Sequence, residues 1–222
     1  VGLLDLSSFA KFRVTGPDAE AVLNRISAND VAVEPGRVVY TQWLNDRGGI
    51  EADLTFTRLA ETRFMVVTGT AVRQHDRSWI ERNIPEDARV TLTDVTSGYA
   101  VLGLMGPKSR ELLAGLTAAD LSPEVFPFGG SRDLEVAYAP ARAQRTSYVG
   151  ELGYELYVPT EFAQHLHERL CEAGEAHGLR LAGVFCQDAL RMEKGFKHWG
   201  HDIGGEDDPV AAWRARSAVL ID

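Results

Sequence analysis

The chain has 222 residues, 45% of them hydrophobic and 25% charged, so it can bury the core of one large domain or of two small interlocked ones. Its formal net charge of −9 argues against non-specific nucleic-acid binding, and an acidic ligand would need a local basic patch. Cys171 and Cys186 have no metal or redox spacing, and no apolar run reaches membrane-spanning length. Residues 1–12 lack the charged start and small-residue cleavage site of a signal peptide, so a soluble, cytoplasmic chain is expected.

Taken in chain order, residues 12–14 read as extended, and Gly16-Pro17 opens a helix over 18–26. Proline suits a first helical turn because its missing N–H would be unsatisfied there anyway. Strands follow over 38–44, 49–59 and 63–68, with turns at 45–48 and 60–61. A helix over 72–82 ends before Pro85, and 89–93 is a further strand. Residues 100–105 are extended, and Gly106-Pro107 opens a helix over 108–116. VTGPDAEAVLNRI and LMGPKSRELLAGL read as an internal duplication. A Pro/Gly-rich stretch, 122–130, precedes a strand over 134–138. Residues 155–158 are extended, and Pro159-Thr160 opens a helix over 161–173. The last helix, 184–194, carries Val184, Ala189, Leu190 and Met192 at roughly helical spacing, with Gly195 as C-cap. After Ile203 the pattern dissolves into GGEDDP and an alanine/arginine-rich tail. The expected fold class is α+β: antiparallel sheets with helices on one face, ferredoxin-like split βαβ units in two interleaved subdomains.

No G-x-x-x-x-G-K-[ST], G-x-G-x-x-G after a strand, or G-x-S-x-G occurs, which speaks against a nucleotide motor, a self-contained dinucleotide dehydrogenase and an α/β-hydrolase. His198-x-x-His201-Asp202 is too small a ligand set for a zinc-type site and reads as a hydrogen-bonded loop, so no metal is expected. Three polar segments remain. In YVGELGYELY, residues 148–157, Glu155 and Gly153 share one strand face while Tyr154 and Leu156 share the other. Glu155 is either a solvated edge glutamate or a carboxylate that reads a flat heterocycle with two adjacent N–H donors, as in a pterin. In GIEADLTFTRL, Asp53 shares its face with Thr55 and Thr57, beside the close-approach pair Gly48-Gly49. It is either satisfied by the threonine hydroxyls or held as a proton acceptor against a bound ring. RMEKGFKHWGH, residues 191–201, sets Arg191, Lys194 and Lys197 among Phe196 and Trp199, which helix-terminal charge or an acidic ligand would explain equally.

These segments carry a family resemblance. VGLLDLSSFAKFRVTGPDA, YTQWLNDRGGIEADLTFTRL, YAVLGLMGP, SYVGELGYELYVP and LRMEKGFKHWGHDI together resemble the folate-binding domain of the aminomethyltransferase (glycine-cleavage T-protein) superfamily, across residues 1–209. The likeness is greatest to the version fused to the flavin domain of sarcosine and dimethylglycine dehydrogenases. It implies tetrahydrofolate as cofactor. Glu155 matches the carboxylate that reads the pterin, and Asp53 matches the aspartate that assists proton removal. Tyr40 and Tyr148 match tyrosines lining the folate pocket, Val72 falls where backbone approaches the pterin, and Arg191 matches an arginine of the terminal helix motif. The residues around Asp53 and Glu155 should then converge on one pocket. T-proteins usually carry a folate-contacting arginine where Gln187 stands, which favours the dehydrogenase-linked branch.

The implied reaction captures, as 5,10-methylenetetrahydrofolate, the carbon released when a flavin site oxidises N-methylated glycines. FAD would belong to a fused or partner dehydrogenase. This chain alone should bind no flavin and should span no membrane. Alternatives are the aminomethyltransferase of the glycine cleavage system and a non-catalytic folate-binding or interaction module. Residues 210–222 do not look like the family's continuation into a C-terminal barrel, so an exposed apolar surface is expected around Trp199 and Trp213.

Overall fold

The computed structural model describes residues 1–206; the atypical tail at 210–222, with Trp213, lies outside them. The first elements are β1 (Gly2–Asp5), β2 (Ala10–Thr15), α1 (Ala19–Ile26), β3 (Val38–Leu44), β4 (Ile50–Ala60), β5 (Arg63–Thr68), α2 (Arg73–Asn83) and β6 (Thr91–Asp94). They are followed by β7 (Tyr99–Met105), α3 (Ser109–Ala114), β8 (Ser131–Val136), β9 (Ala139–Gln144), β10 (Gly153–Pro159), α4 (Ala163–Gly174), β11 (Arg180–Ala182) and α5 (Val184–Glu193). The chain forms two compact units that alternate along the sequence. The first unit holds residues 1–8 and 97–194; the second holds 9–96 and the segment from Gly195.

One topology is used twice. The second unit has a five-stranded sheet in the order β3-β4-β5-β2-β6, and the first has a six-stranded sheet in the order β11-β1-β7-β10-β9-β8. The succession β2, α1, β3, β4, β5, α2, β6 matches β7, α3, β8, β9, β10, α4, β11. The added strand β1 lies between β7 and β11, antiparallel to the former and parallel to the latter. β11 therefore keeps the direction relative to β7 that β6 has relative to β2. Among the strands of the described residues, that parallel pair departs from the antiparallel sheets expected. Each copy also enters its second helix through a 3-10 turn, Thr70–Val72 or Thr160–Phe162.

Helices cover one face of each sheet. In the second unit Phe12, Val14, Leu54, Phe56, Phe64 and Val66 pack with Leu23 of α1 and Ile80 of α2. In the first unit Leu102, Leu104, Tyr154, Leu156 and Val158 pack with Leu112 and Leu113 of α3 and Leu166 and Leu170 of α4. Each large side chain buried this way contributes about 1.5–3 kcal/mol. α3 is shorter than the helix expected over 108–116, because it ends in a turn at Gly115, a poor helix former.

Three strands escape a reading of pattern alone. β1 and β11 have only four and three residues. β9 reads APARAQ, and its buried positions Ala139, Ala141 and Ala143 alternate correctly but carry little strand propensity. Its Pro140 pairs with Glu135 of β8 and lies outside the β10 pairing, so its missing N–H breaks no ladder bond. The strand expected over 134–138 stops at Val136, since Ala137 and Tyr138 form a two-residue hairpin turn with φ of +49° and +69°. That turn normally advertises itself with Asn-Gly, absent here.

The repeated Gly-Pro turns yield a test. Gly16 and Gly106 have φ of +138° and +128°, which side chains rarely adopt. A Cβ on Gly16 would also lie 1.9 Å from the Arg89 carbonyl oxygen, whereas on Gly106 the nearest atom is Val1 Cα at 3.2 Å. Gly16→Ala should cost about 2–4 kcal/mol and Gly106→Ala about 1–2, from strain with and without overpacking. Urea midpoints at constant m would show the ordering, and equal midpoints would contradict it.

Candidate functional site

In the second unit, alternation along β4 sends Ala52, Leu54 and Phe56 into the core and leaves Glu51, Asp53 and Thr55 on the other face. A bulge in the β3–β4 ladder between Trp43 and Leu44 then sets Asp53 opposite Gln42. Gln42 Nε2 donates to Asp53 Oδ1 at 2.9 Å, and the Tyr40 phenol bonds the same carboxyl. Burial raises the Asp53 pKa, the Tyr40 and Gln42 bonds and the charge of His198 lower it, and Asp76 adds to the rise. The threonine-satisfied alternative for Asp53 thus gives way to a carboxyl held by Tyr40 and Gln42.

The turn before β4 is built for close approach. Asn45 Oδ1 accepts from the Arg47 and Gly49 amides at 3.0 and 2.9 Å, and its Nδ2 donates to Glu51 Oε1 at 2.9 Å. A Cβ on Gly49 would fall 2.3 Å from the Gly205 carbonyl oxygen, so the returning segment after Gly195 sits directly on the turn. In that segment the Asp202 carboxylate accepts the His198 amide at 2.9 Å, and the His198 and His201 rings stack 5.6 Å apart. β5 leaves its ladder at Thr68, opposite Leu54, and the half-buried Val72 follows in the 3-10 turn beyond.

In the first unit, β10 alternates as expected: Tyr154, Leu156 and Val158 enter the core and Glu155 stands on the opposite face. One row across the sheet reads Leu4, Gly103, Glu155, Gln144, Ser131. Leu6 packs over Gly103 and Met105 over Gly153, so apolar groups border the half-buried carboxylate. Its hydrogen-bond partner among the described residues is Tyr157, whose phenol donates to Oε2 at 2.8 Å. Burial raises the Glu155 pKa, and the Tyr157 bond partly offsets this. Tyr148 is half-buried in the bend that leads into β10. At Gly150, with φ of +72°, the Lys194 side chain lies against the backbone, and Lys194 Nζ reaches Glu151 at 3.0 Å. Arg191 is only 2% exposed and grips Asp188 through Nε at 2.7 Å and Nη2 at 2.6 Å.

Sequence reasoning missed Gln42 and Tyr157. Tyr157 could have been found, being two residues from Glu155 on the same strand face. Gln42 could have been found in the same way, being two residues from Tyr40 on β3.

Residues 1–216 match the family model of the GCVT N-terminal domain. The chain belongs to this family. It is 47% identical over 212 residues to a 4-methylaminobutanoate oxidase (formaldehyde-forming) of Paenarthrobacter nicotinovorans, covering 96% of this chain and 26% of that one. It is 36% identical over 213 residues to the mitochondrial dimethylglycine dehydrogenase of Rattus norvegicus, covering 96% and 25%. It is also 34% identical over 213 residues to the mitochondrial pyruvate dehydrogenase phosphatase regulatory subunit of Mus musculus, covering 95% and 24%. Among solved structures, glycine cleavage system aminomethyltransferase T from Bartonella henselae matches with a TM-score of 0.80 at 29% identity, over 96% of this chain and 56% of that one. The aminomethyltransferase resemblance and the α+β expectation are borne out. This GCVT N-terminal domain spans about a quarter of the length of those three curated relatives. No helix among the described residues is long and apolar enough to cross a membrane.

Of the apolar surface expected around Trp199 and Trp213, only Trp199 lies among the described residues. Trp199 is half-buried, whereas Leu181 of β11 and Val184, Phe185 and Met192 of α5 are exposed, Phe185 to 89%.

The two raised carboxyls have a measurable consequence. In the folded state each keeps its proton to higher pH than in the unfolded chain, so stability falls as pH rises past the ordinary carboxyl value of about 4. Asp53→Asn and Glu155→Gln should each raise the urea midpoint at pH 7.5, with the gain gone below about pH 4. A lower midpoint at pH 7.5 would contradict burial as the dominant influence.

Proposed function

We propose that this domain binds tetrahydrofolate and captures on it the carbon released when a flavin enzyme oxidises an N-methylated amino acid, giving 5,10-methylenetetrahydrofolate. The observation that carries the reading is Glu155: a carboxylate in apolar surroundings, with one oxygen held by Tyr157 and the other without a partner among the described residues. A ring with two adjacent N–H donors satisfies such a group, and a pterin has that edge. The relatives named for oxidising 4-methylaminobutanoate and dimethylglycine widen the carbon source from N-methylated glycines to N-methylated amino acids generally.

Tetrahydrofolate supplies the two nitrogens that take up the carbon; the remaining work falls to the chain. Glu155 fixes the orientation of the ring, and Tyr40, Tyr148 and the Val72 backbone are the further folate contacts that the family resemblance implies. Asp53 accepts the proton released as the carbon is bridged. An aspartate titrating near 4 is a weak base at neutral pH, and burial moves Asp53 toward usefulness. Arg191, buried against Asp188, braces α5 rather than holding the ligand. Much of the rate comes from holding the reactants together away from water. The oxidation itself belongs to a flavin domain or subunit.

A second reading is a module without turnover, favoured by the likeness to a relative named as a regulatory subunit. Titration with tetrahydrofolate separates a folate domain from a pure interaction module. Glu155→Gln should weaken binding by about one to two decades, the equivalent of roughly 1.5–3 kcal/mol for a charged hydrogen bond, in a chain that stays folded. Asp53→Asn should bind tetrahydrofolate normally but form methylenetetrahydrofolate from supplied formaldehyde about 10²–10⁴-fold more slowly above background. Unchanged affinity in the first variant or unchanged turnover in the second would remove that residue from the site.

A further inference from the structure

Nothing in the family resemblance singles out Tyr157, yet among the described residues it is the side chain that bonds Glu155. The two lie two residues apart on β10, on the same face, and the phenol donates to Oε2 at 2.8 Å. Tyr157 is 2% exposed, set between Val101 of β7 and Arg142 of β9 in the ladder, so its ring cannot swing away. Carboxylates have about four acceptor positions. One on Oε2 is taken, which leaves one on Oε2 and those of Oε1.

We propose that Tyr157 is the positioning residue of the site: its phenol fixes the Glu155 carboxylate so that one acceptor position on each oxygen meets a planar ligand edge with two adjacent N–H donors. The proposal rests on the folate reading for the ligand, but the grip on Glu155 stands by itself. Without the phenol, a carboxylate on a flexible side chain would reach a single donor as readily as a pair. With it, a head group offering one N–H satisfies only half of the fixed acceptors. The bond also favours the ionised carboxylate that such reading needs, against the opposing effect of burial. The Tyr157 phenol is itself pushed well above its ordinary value by burial and by Glu155, so it stays a donor across the working pH range. On this face β1 and β7 bring the uncharged Leu4 and Gly103 into line with Glu155, and β9 brings Gln144. The charged pair there is Arg142 with Asp133 of β8. Burial and Tyr157 are the influences that set the Glu155 titration.

Tyr157→Phe keeps the ring and removes only the hydroxyl. The experiment follows the Glu155 side-chain carboxyl by ¹³C NMR against pH in the ligand-free chain, and tetrahydrofolate affinity against pH by calorimetry. In the variant the Glu155 midpoint should move to higher pH, and affinity at neutral pH should fall roughly two- to tenfold, the range of one net hydrogen bond. Binding should also be lost at a higher pH on acidification, because the carboxylate protonates sooner. In a Glu155→Gln background the loss of the hydroxyl should have no further effect on affinity. A Glu155 midpoint that does not move, or wild-type affinity in Tyr157→Phe, overturns the proposal. A wild-type chain that takes up no tetrahydrofolate overturns the folate reading instead, and the midpoint then decides by itself whether Tyr157 governs Glu155.

Discussion

Each sheet of this protein buries one face under a pair of helices, and strand alternation then dictates which side chains remain for chemistry. Tyr154, Leu156 and Val158 commit β10 to the core, so Glu155 and Tyr157 must stand together on the opposite face. Ala52, Leu54 and Phe56 commit β4 in the same way and leave Glu51, Asp53 and Thr55. A slip of one residue in either strand would bury a carboxylate among leucines, at a cost no local bond could offset. The hydrophobic pattern therefore protects the polar one.

The duplicated unit shows how one frame carries two different polar faces. The strand matching β10 in the second unit is β5, RFMVVT, where Phe64 through Thr68 are all buried and no carboxylate occurs. The strand matching β4 in the first unit is β9, whose buried alanines leave no acid in the place of Asp53. The carboxyls whose pKa burial raises on these meanders therefore stand on non-matching strands, Asp53 on the middle strand β4 of the second unit and Glu155 on the last strand β10 of the first. The shared parts are those the backbone demands: a glycine at positive φ, a proline, and a 3-10 turn into the second helix. The polar side chains on the free faces are what differ.

Most of this frame was legible because it rests on strong local signals. Gly16-Pro17 and Gly106-Pro107 mark helix starts, and the alternation in β4 and β10 marks their faces. The sequence was mute where the signal is spatial. The bulge between Trp43 and Leu44 shifts the register by one residue between the turn and the rest of the β3–β4 ladder, which no periodicity reveals. β9 escaped because alanine packs well at a crowded position while carrying almost no strand preference. The Ala137-Tyr138 turn escaped because it uses a conformation for which its residues are poor markers. Tyr157 is different: its spacing from Glu155 places it on the same face, and alternation is silent only on the bond its phenol donates.

The two carboxyls make opposite demands on the same physical effect. Burial raises both. For the base proposed at Asp53 that is useful, since a base must hold a proton tightly to take one at neutral pH. For the ligand reading proposed for Glu155 it is a threat, since meeting two N–H donors requires the ionised form. The neighbourhoods answer each need differently. Asp53 has the Asp76 charge reinforcing the rise, while Tyr40, Gln42 and the charge of His198 limit it. Glu155 has no cation among the groups that set its titration, and a single neutral phenol must hold it toward the charged state. A neutral donor does this without forming an ion pair that would compete for the oxygens, so the carboxylate stays available to a ligand. An arginine in the place of Tyr157 would ionise Glu155 more firmly and, by binding both oxygens, leave less of it to read with.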